Sequence, residues 1–484
     1  MSRLIISSLM SNNLIFEKRL ILLTKNLKSY KHNMDNRKVF LFVLFLCHFT
    51  FSICLAKGQK TQATPNIIVI LADDLGYGDL SCFGHPTIQT PNLNKMATEG
   101  VRLTQFYVGA NVCTPSRAAL LTGRLPVRSG MAGHSRVVLF PDSKGGLPAS
   151  EITIAKALKT KGYATACIGK WHLGHLQQYL PANHGFDYYF GIPYSNDMRP
   201  NKTNNYPPLP LYKDSKVIEE NPDQQFLTGR YTVEALAFIE KNKNKPFFLY
   251  YSNNFPHVPL YASDKFKGKS KRGLYGDVVS ELDWSVGQLL NKLKELKLDG
   301  NTLVIFTSDN GPWLTQKQNG GSAGLLFEGK GSDYEGGMRV PAIAWWPGTI
   351  PANQLCTSPA SAMDLFPTFL KLAGVDIPKD RAIDGQDIMP LLTGLRQETN
   401  EVIYYYNLDS LYAVRKGAWK AHFTSKYSYS KEPAITHNPP LLYNLENDPS
   451  EKFDLSKDHS DVVDDLRDEF IRHLKSVKKA PPQY

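Results

Sequence analysis

Four short polar sets in this chain each follow closely on an apolar run. Asp73-Asp74 come after NIIVILA, Lys170 and His172 after YATACIG, His257 after PFFLYYS, and Asp309-Asn310 after TLVIFTS. One Asp-Asp pair after a strand is ordinarily a solvated turn or a helix cap. Four such sets at the ends of separate runs point instead to one shared site. Asp73, Asp74, Asp309 and Asn310 offer only oxygen, the donor set of a hard divalent cation such as Ca²⁺ or Mg²⁺ rather than zinc. Lys170, His172, His257, Arg117 and Lys330 would surround it with positive charge and hydrogen-bond donors. Such a site suits a tetrahedral anion whose charge must be neutralised while a bond to its central atom breaks. Phosphate and sulfate esters fit equally well on these residue types.

A fifth stretch, CTPSRAALLTGR from Cys113 to Arg124, reads as a helix start. Pro115 suits a first helical turn, Ala118 to Leu121 propagate the helix, and Gly123 ends it. Cys113 then sits among the unpaired N–H groups of a helix N-terminus, which favour negative charge, with Arg117 one turn on. That placement implies a nucleophile or an anion site. The competing reading is an inert buried thiol.

The elements that must carry these residues alternate. Residues 66–72, 163–168, 246–252 and 302–307 read as buried strands, and 91–99, 152–162, 230–241 and 275–296 as helices, with an extended stretch at 101–108. This predicts an α/β sandwich, a large and mostly parallel sheet between helices. In open α/β sheets ligands bind beyond the carboxyl ends of the strands, so the four polar sets should converge there. Residues 194–222, rich in Pro, Asn and Lys, read as a surface excursion. After a helix at 363–373 come short strands at hairpin spacing (402–406, 411–415, 419–423, 441–445) and an amphipathic helix at 462–477. We expect a catalytic domain over 64–398 and a smaller C-terminal α+β domain over 399–484.

The formal charge of +11 is no nucleic-acid footprint. Residues 1–57 hold nine Lys/Arg against two Asp/Glu, so +7 lies there and only +4 in the remaining chain. Residues 39–55 are nearly all apolar, with Arg37-Lys38 before them and Ala56-Lys57 after. They read as a secretory signal cleaved after Ala56, with translation starting at Met34 and residues 1–33 an upstream extension. An uncleaved signal anchor is the alternative. After cleavage no stable membrane span is expected. Asn201-Lys202-Thr203 is an N-glycosylation sequon. Outside the leader four cysteines remain: Cys82, Cys113, Cys167 and Cys356. This is not a disulfide-stapled scaffold.

The Cys113 run resembles the sulfatase signature C-x-P-S-R-x-x-x-L-x-G-R at every fixed position, and GYATACIGKWH (162–172) resembles the family's second signature. The similarity runs from about Pro65 through the C-terminal region and is nearest to arylsulfatase A and N-acetylgalactosamine-6-sulfatase. It implies an alkaline-phosphatase-like fold and hydrolysis of sulfate esters, whether aryl sulfates, sulfated sugars or sulfolipids. It implies that a formylglycine-generating enzyme oxidises Cys113 during synthesis and that the aldehyde hydrate attacks sulfur. Asp73, Asp74, Asp309, Asn310 and modified Cys113 would bind Ca²⁺, Mg²⁺ being the alternative, and Arg117 and Lys170 would hold the hydrate. His172 would take a proton so that sulfate leaves and the aldehyde returns. Lys170, Ser195, His257 and Lys330 would contact the sulfate, with His257 or Lys330 assisting the leaving alcohol. His175 and His184 flank this sequence. The resemblance places the protein in the secretory pathway, lysosomal or extracellular, with a homo-oligomer left open. A metal-dependent phosphoesterase or phosphonate hydrolase on the same fold is the alternative enzyme, and a non-catalytic anion-binding protein a third reading. A phosphatase of this architecture would offer Ser or Thr in place of Cys113 and further His/Asp ligands for a second metal.

Overall fold

Ile67, Val69 and Leu71 fall on one side of their strand and Ile68, Ile70 and Ala72 on the other, and all six are buried. Successive side chains of a strand alternate between faces, so burial of both sets marks a strand inside a sheet covered on both sides. That strand is β1 (Asn66–Ala72). The computed structural model describes residues 64–202, 204–399 and 402–484. The expected leader, its cleavage site and Thr203 of the sequon lie outside the described residues.

In chain order the sheet continues with β2 (Val101–Tyr107), β3 (Ala164–Gly169), β4 (Tyr188–Gly191), β5 (Pro210–Lys213) and β6 (Lys216–Glu220). It is completed by β7 (Phe247–Ser252), β8 (Thr302–Ser308), β9 (Arg339–Trp345), β10 (Gln354–Cys356) and β11 (Ala360–Ser361). The spatial order is β10-β2-β9-β8-β1-β7-β3-β4-β5-β6, with β11 beside β2. The central run β8-β1-β7-β3-β4 is parallel throughout. Helices Pro91–Glu99, Leu227–Lys241 and Leu274–Glu295 share a core with Ile68 and Ile70. Helices Ile154–Lys159 and Leu365–Leu372 cover the opposite face with Ile67 and Val69, joined by Ala118, Leu120 and Leu121 of the helix Cys113–Thr122. This is the expected α/β sandwich.

Two features depart from the sequence reading. Residues 194–222 are not merely a surface excursion: β5 and β6 lie within them and extend the sheet as an antiparallel edge, with Leu211 fully buried. Their Pro, Lys and Glu content is that of an edge strand, which conceals the pattern. The strand β9 also went unread, because Pro341 interrupts RVPAIAW. The structure accommodates it where β2 slips register between Leu103 and Phe106, opposite that proline, and where pairing with β8 reaches only Ile343. A residue without an N–H is tolerated at such an irregularity.

The C-terminal strands form a second, antiparallel sheet, β12 (Val402–Asn407), β13 (Ser410–Lys416), β14 (Trp419–Ser425) and β15 (Ile435–Asn444). Helix Ser460–Ser476 packs on it through Val463 and Leu466 against Leu411, Val414, Ala421 and Leu442. Both sheets belong to one compact unit, Thr64–Tyr484. Cys82, Cys113, Cys167 and Cys356 are all free thiols. Among the described residues no helix is long and apolar enough to cross a membrane.

Candidate active site

Register brings the four polar sets together. Ala72 pairs with Ser308, Leu71 with Ser252, and Gly169 with Ser252, so four adjacent parallel strands end at one level. Asp73-Asp74, Asp309-Asn310, Lys170 and the segment to His257 leave from that line. Asp74 (φ 62°) and His172 (φ 58°) take the left-handed conformation immediately beyond their strands. A residue with a Cβ adopts it at a cost, and such strain collects where side chains must be aimed.

The helix Cys113–Thr122 begins at the cysteine, no side chain caps it, and Gly123 closes it with φ 67°. Its positive end therefore faces the strand ends. Cys113 Sγ lies 3.4 Å from Asp73 Oδ1 and 4.0 Å from Asp74 Oδ1. Ligating atoms of Asp73, Asp74, Cys113 and His257 all fall within 4.8 Å of one another. Arg117 does not bond the thiol. Its guanidinium donates to Asp309 Oδ2 (2.8 Å), the Lys170 carbonyl (2.9 Å) and Ser252 Oγ (2.5 Å), and stands 3.6 Å from Asp73. It thereby joins the Asp309 strand end to the other three.

Lys170 Nζ donates to Asp73 Oδ2 (2.5 Å) and Ser195 Oγ (3.1 Å). Lys330 Nζ lies 2.8 Å from Asp74 Oδ1, and Asn310 Nδ2 donates to the same oxygen at 2.7 Å. His257 Nε2 is 3.3 Å from Ser195 Oγ and 3.6 Å from Asp74 Oδ2. Thus every residue expected here from the sequence is in or beside one cluster, except Asn201, which is exposed on the surface. His184 is fully buried against Trp171 as a packing residue, and His175 rests on Tyr194.

The two site histidines are fixed by carbonyl oxygens, which can only accept. His172 Nε2 lies 2.9 Å from the Leu139 carbonyl, so the proton sits on Nε2 and Nδ1, buried without a partner, keeps its lone pair. Thr114 ties this arrangement to the helix start, donating to the His172 carbonyl and accepting from Leu139 N–H. His257 Nδ1 is held by the Val258 carbonyl, which leaves Nε2 facing Ser195 and Asp74.

Charge sets the protonation states. Burial opposes ionisation of Asp73, but Lys170, His257, Arg117 and Lys330 hold its carboxyl far below the usual range. Burial, with Asp73 next, pushes Asp309 up to about 6. Burial, then Lys170 and Arg117, holds His172 well below its ordinary value, so it is neutral, with its free lone pair at Nδ1. Burial, then Asp309, pushes the Cys113 thiol well up. Cys113 thus stands at a helix N-terminus but against carboxylates, which favour its protonated thiol.

Sequence reasoning missed Ser252 and Thr114, although both stand inside segments it singled out. It also missed Trp313, and it singled out no residue of the 421–440 loop that carries Tyr429; the two rings lie 5.3 Å apart, with Lys330 and His257 beside Trp313. No local pattern marks an aromatic in a loop as part of a site.

The fold and this cluster define a hydrolase of tetrahedral oxyanion esters. The chain belongs to the sulfatase family: the Sulfatase model matches residues 65–375, and the model for the C-terminal region of aryl-sulfatase matches 398–484. It is 41% identical to arylsulfatase A of Bos taurus, over 90% of this chain and 91% of that one. It is 42% identical to N-acetylgalactosamine-6-sulfatase of Sus scrofa, over 87% of each. The PsFucS1 sulfatase of Pseudoalteromonas sp. superposes with a TM-score of 0.78 at 32% identity, covering 88% of this chain and 93% of that one. The alkaline-phosphatase-like fold stands, and the protein is a sulfuric ester hydrolase.

Proposed function

We propose that the chain hydrolyses sulfate esters of aryl groups and of sugars or sulfolipids, with Cys113 converted to formylglycine by a formylglycine-generating enzyme. The supporting observation is the placement of Cys113: its buried thiol opens a helix against Asp73 and Asp74, which pair with Lys170 and Lys330. An unmodified cysteine has no evident work there, whereas a hydrated aldehyde at this position supplies the oxygen nucleophile and a second hydroxyl whose deprotonation expels sulfate. The relatives' names, arylsulfatase and N-acetylgalactosamine-6-sulfatase, support aryl and sugar esters.

Ca²⁺, or Mg²⁺ in its place, fits the residues present. Asn310 Oδ1 is buried with no partner, while the same amide's Nδ2 donates to Asp74 Oδ1 and the Asp74 N–H donates to Asp309 Oδ1. Asp73, Asp74, Asp309 and Asn310, with residue 113, would hold the cation, which would supply positive charge to the nucleophile and the ester oxygens. Lys170, Ser195, His257 and Lys330 receive the sulfate. Arg117 and Lys170, which bond Asp309 and Asp73, would hold the formylglycine hydrate, and neutral His172 accepts a proton at Nδ1. His257 or Lys330 delivers a proton to the departing alcohol. Among the described residues Asp73, Asp74, Cys113 and His257 are the one group of His, Cys, Asp and Glu that converges as metal ligands. That favours a sulfatase over a two-metal phosphoesterase. Passage through the secretory pathway, to the lysosome or outside the cell, and a glycan on Asn201 belong to the same reading.

Peptide mass spectrometry of the tryptic fragment containing residue 113, from protein made in a secretory host, tests this. Formylglycine together with turnover of nitrocatechol sulfate is the expected result. Turnover by protein carrying only unmodified cysteine would overturn it.

A further inference from the structure

Two aromatic side chains at the edge of the site have no part in the chemistry so far. Trp313, four residues beyond Asp309, stands between His257 and Tyr429, with ring centroids 5.4 and 5.3 Å away. The Lys330 ammonium lies 4.6 Å over the same indole. Two of the four groups assigned to the sulfate thus border one ring. The indole Nε1 is buried and finds no acceptor.

Tyr429 arrives from the other sheet, in the connection between β14 and β15. Ser428 beside it fixes that connection to the Lys330 loop: its Oγ donates to the Lys330 carbonyl (2.5 Å) and its N–H to Glu328 (3.0 Å). The Tyr429 ring packs on Gly331, where an added Cβ would meet it at 3.3 Å. The Tyr429 hydroxyl lies in the field of Lys330, Asp74 and Cys113. Even so, the residue keeps 40% of its surface exposed. Its backbone is held at φ 50°, a conformation a tyrosine adopts only under constraint. A large ring is therefore held, at some cost, where the reaction centre meets solvent.

We propose that Trp313 and Tyr429 form a platform for the leaving group, selecting sulfate esters whose alcohol carries a flat ring face. This rests on the sulfatase reading above. With the sulfate among Lys170, Ser195, His257 and Lys330, the ester substituent leaves past the rings that border His257 and Lys330. An aryl ring, or the apolar face of a pyranose, stacks on such a surface. Inorganic sulfate has nothing to place there.

The test compares Tyr429→Ala and Tyr429→Phe with the parent enzyme on 4-nitrophenyl sulfate and galactose 6-sulfate, with inorganic sulfate as competitive inhibitor. The alanine variant should raise KM for the ring esters about five- to ten-fold, as loss of one stacking partner implies. The inhibition constant of inorganic sulfate should not move, and the phenylalanine variant should restore the parent KM. A rise confined to the nitrophenyl ester assigns the platform to aryl groups, and one confined to the sugar ester to pyranoses. Unchanged KM for both, a sulfate constant that rises in step, or a phenylalanine variant as impaired as alanine would overturn the proposal. Parent enzyme that turns over neither ester would instead remove the function on which it rests.

Discussion

Cys113 carries the sharpest test at the scale of single residues. In Cys113→Ser no aldehyde can form. The serine hydroxyl sits where Lys170, Lys330 and Arg117 gather positive charge, so one attack on sulfur remains open to it. The resulting sulfate ester lacks a second hydroxyl and cannot be expelled by the same route. The variant should take up one sulfate per chain and stall, while Cys113→Ala binds sulfate esters and gains no mass. Intact-mass measurement after incubation with substrate separates the two. Sustained turnover by the serine variant would sink the hydrate mechanism. At this scale much was legible, because Asp73, Lys170, His257 and Asp309 each follow a strand too apolar to misread. Trp313 and Tyr429 were not, since they meet only through packing of chain segments more than a hundred residues apart.

At the scale of elements, the two sheets are joined through buried charge. Glu335 ties the two sheets at a buried junction: it accepts from Tyr107 on β2 (2.6 Å), Tyr405 on β12 (2.7 Å) and Lys420 on β14 (3.1 Å). Lys420 also reaches Glu451 at 2.9 Å, and Arg415 bonds Tyr107 and Gln105. Burial resists the charge on Glu335, but Lys420, Arg415 and Arg339 hold its carboxyl down to about 2. Nothing in the sequence marks Glu335 or Lys420 as partners, because their pairing exists only once β14 has docked. Breaking a buried ion pair from one side leaves the other charge unpaired. Lys420→Met should therefore cost about 3–5 kcal/mol in urea unfolding. Adding Glu451→Gln should recover part of that loss by removing one orphaned charge. A single variant as stable as the parent would show that the junction does not hold the sheets together. The same dependence on partners concealed β9, whose proline reads as a break until the irregular register of β2 is set beside it.

For the molecule as a whole, buried titratable groups pull stability in opposite directions with pH. His184 and His473 are held down to about 3 and about 4, in each case chiefly by burial. The unfolded chain binds their protons more readily, so the stability they contribute is present above pH 6.5 and lost as pH falls toward 3–4. Asp79 and Asp333 act with the opposite sign, since burial pushes each up to about 7. Asp79 Oδ2 accepts from Gly76 N–H (2.7 Å) and the Tyr275 hydroxyl (2.6 Å), while Oδ1 is buried with no partner. The folded state keeps the proton that the unfolded state releases near pH 3.8. Stability from this group is thus complete below pH 3.8 and lost as pH rises to 7. Asp79→Asn removes the titration but keeps the shape. Any fixed cost of placing an amide there is the same at every pH and drops out of a comparison across pH. The difference in unfolding free energy, variant minus parent, should climb in the variant's favour between pH 4 and pH 8, by at most about 4 kcal/mol for three pH units of displacement. It should flatten above pH 7. A difference that is level across this range would mean that Asp79 ionises in the folded protein as readily as in the unfolded chain.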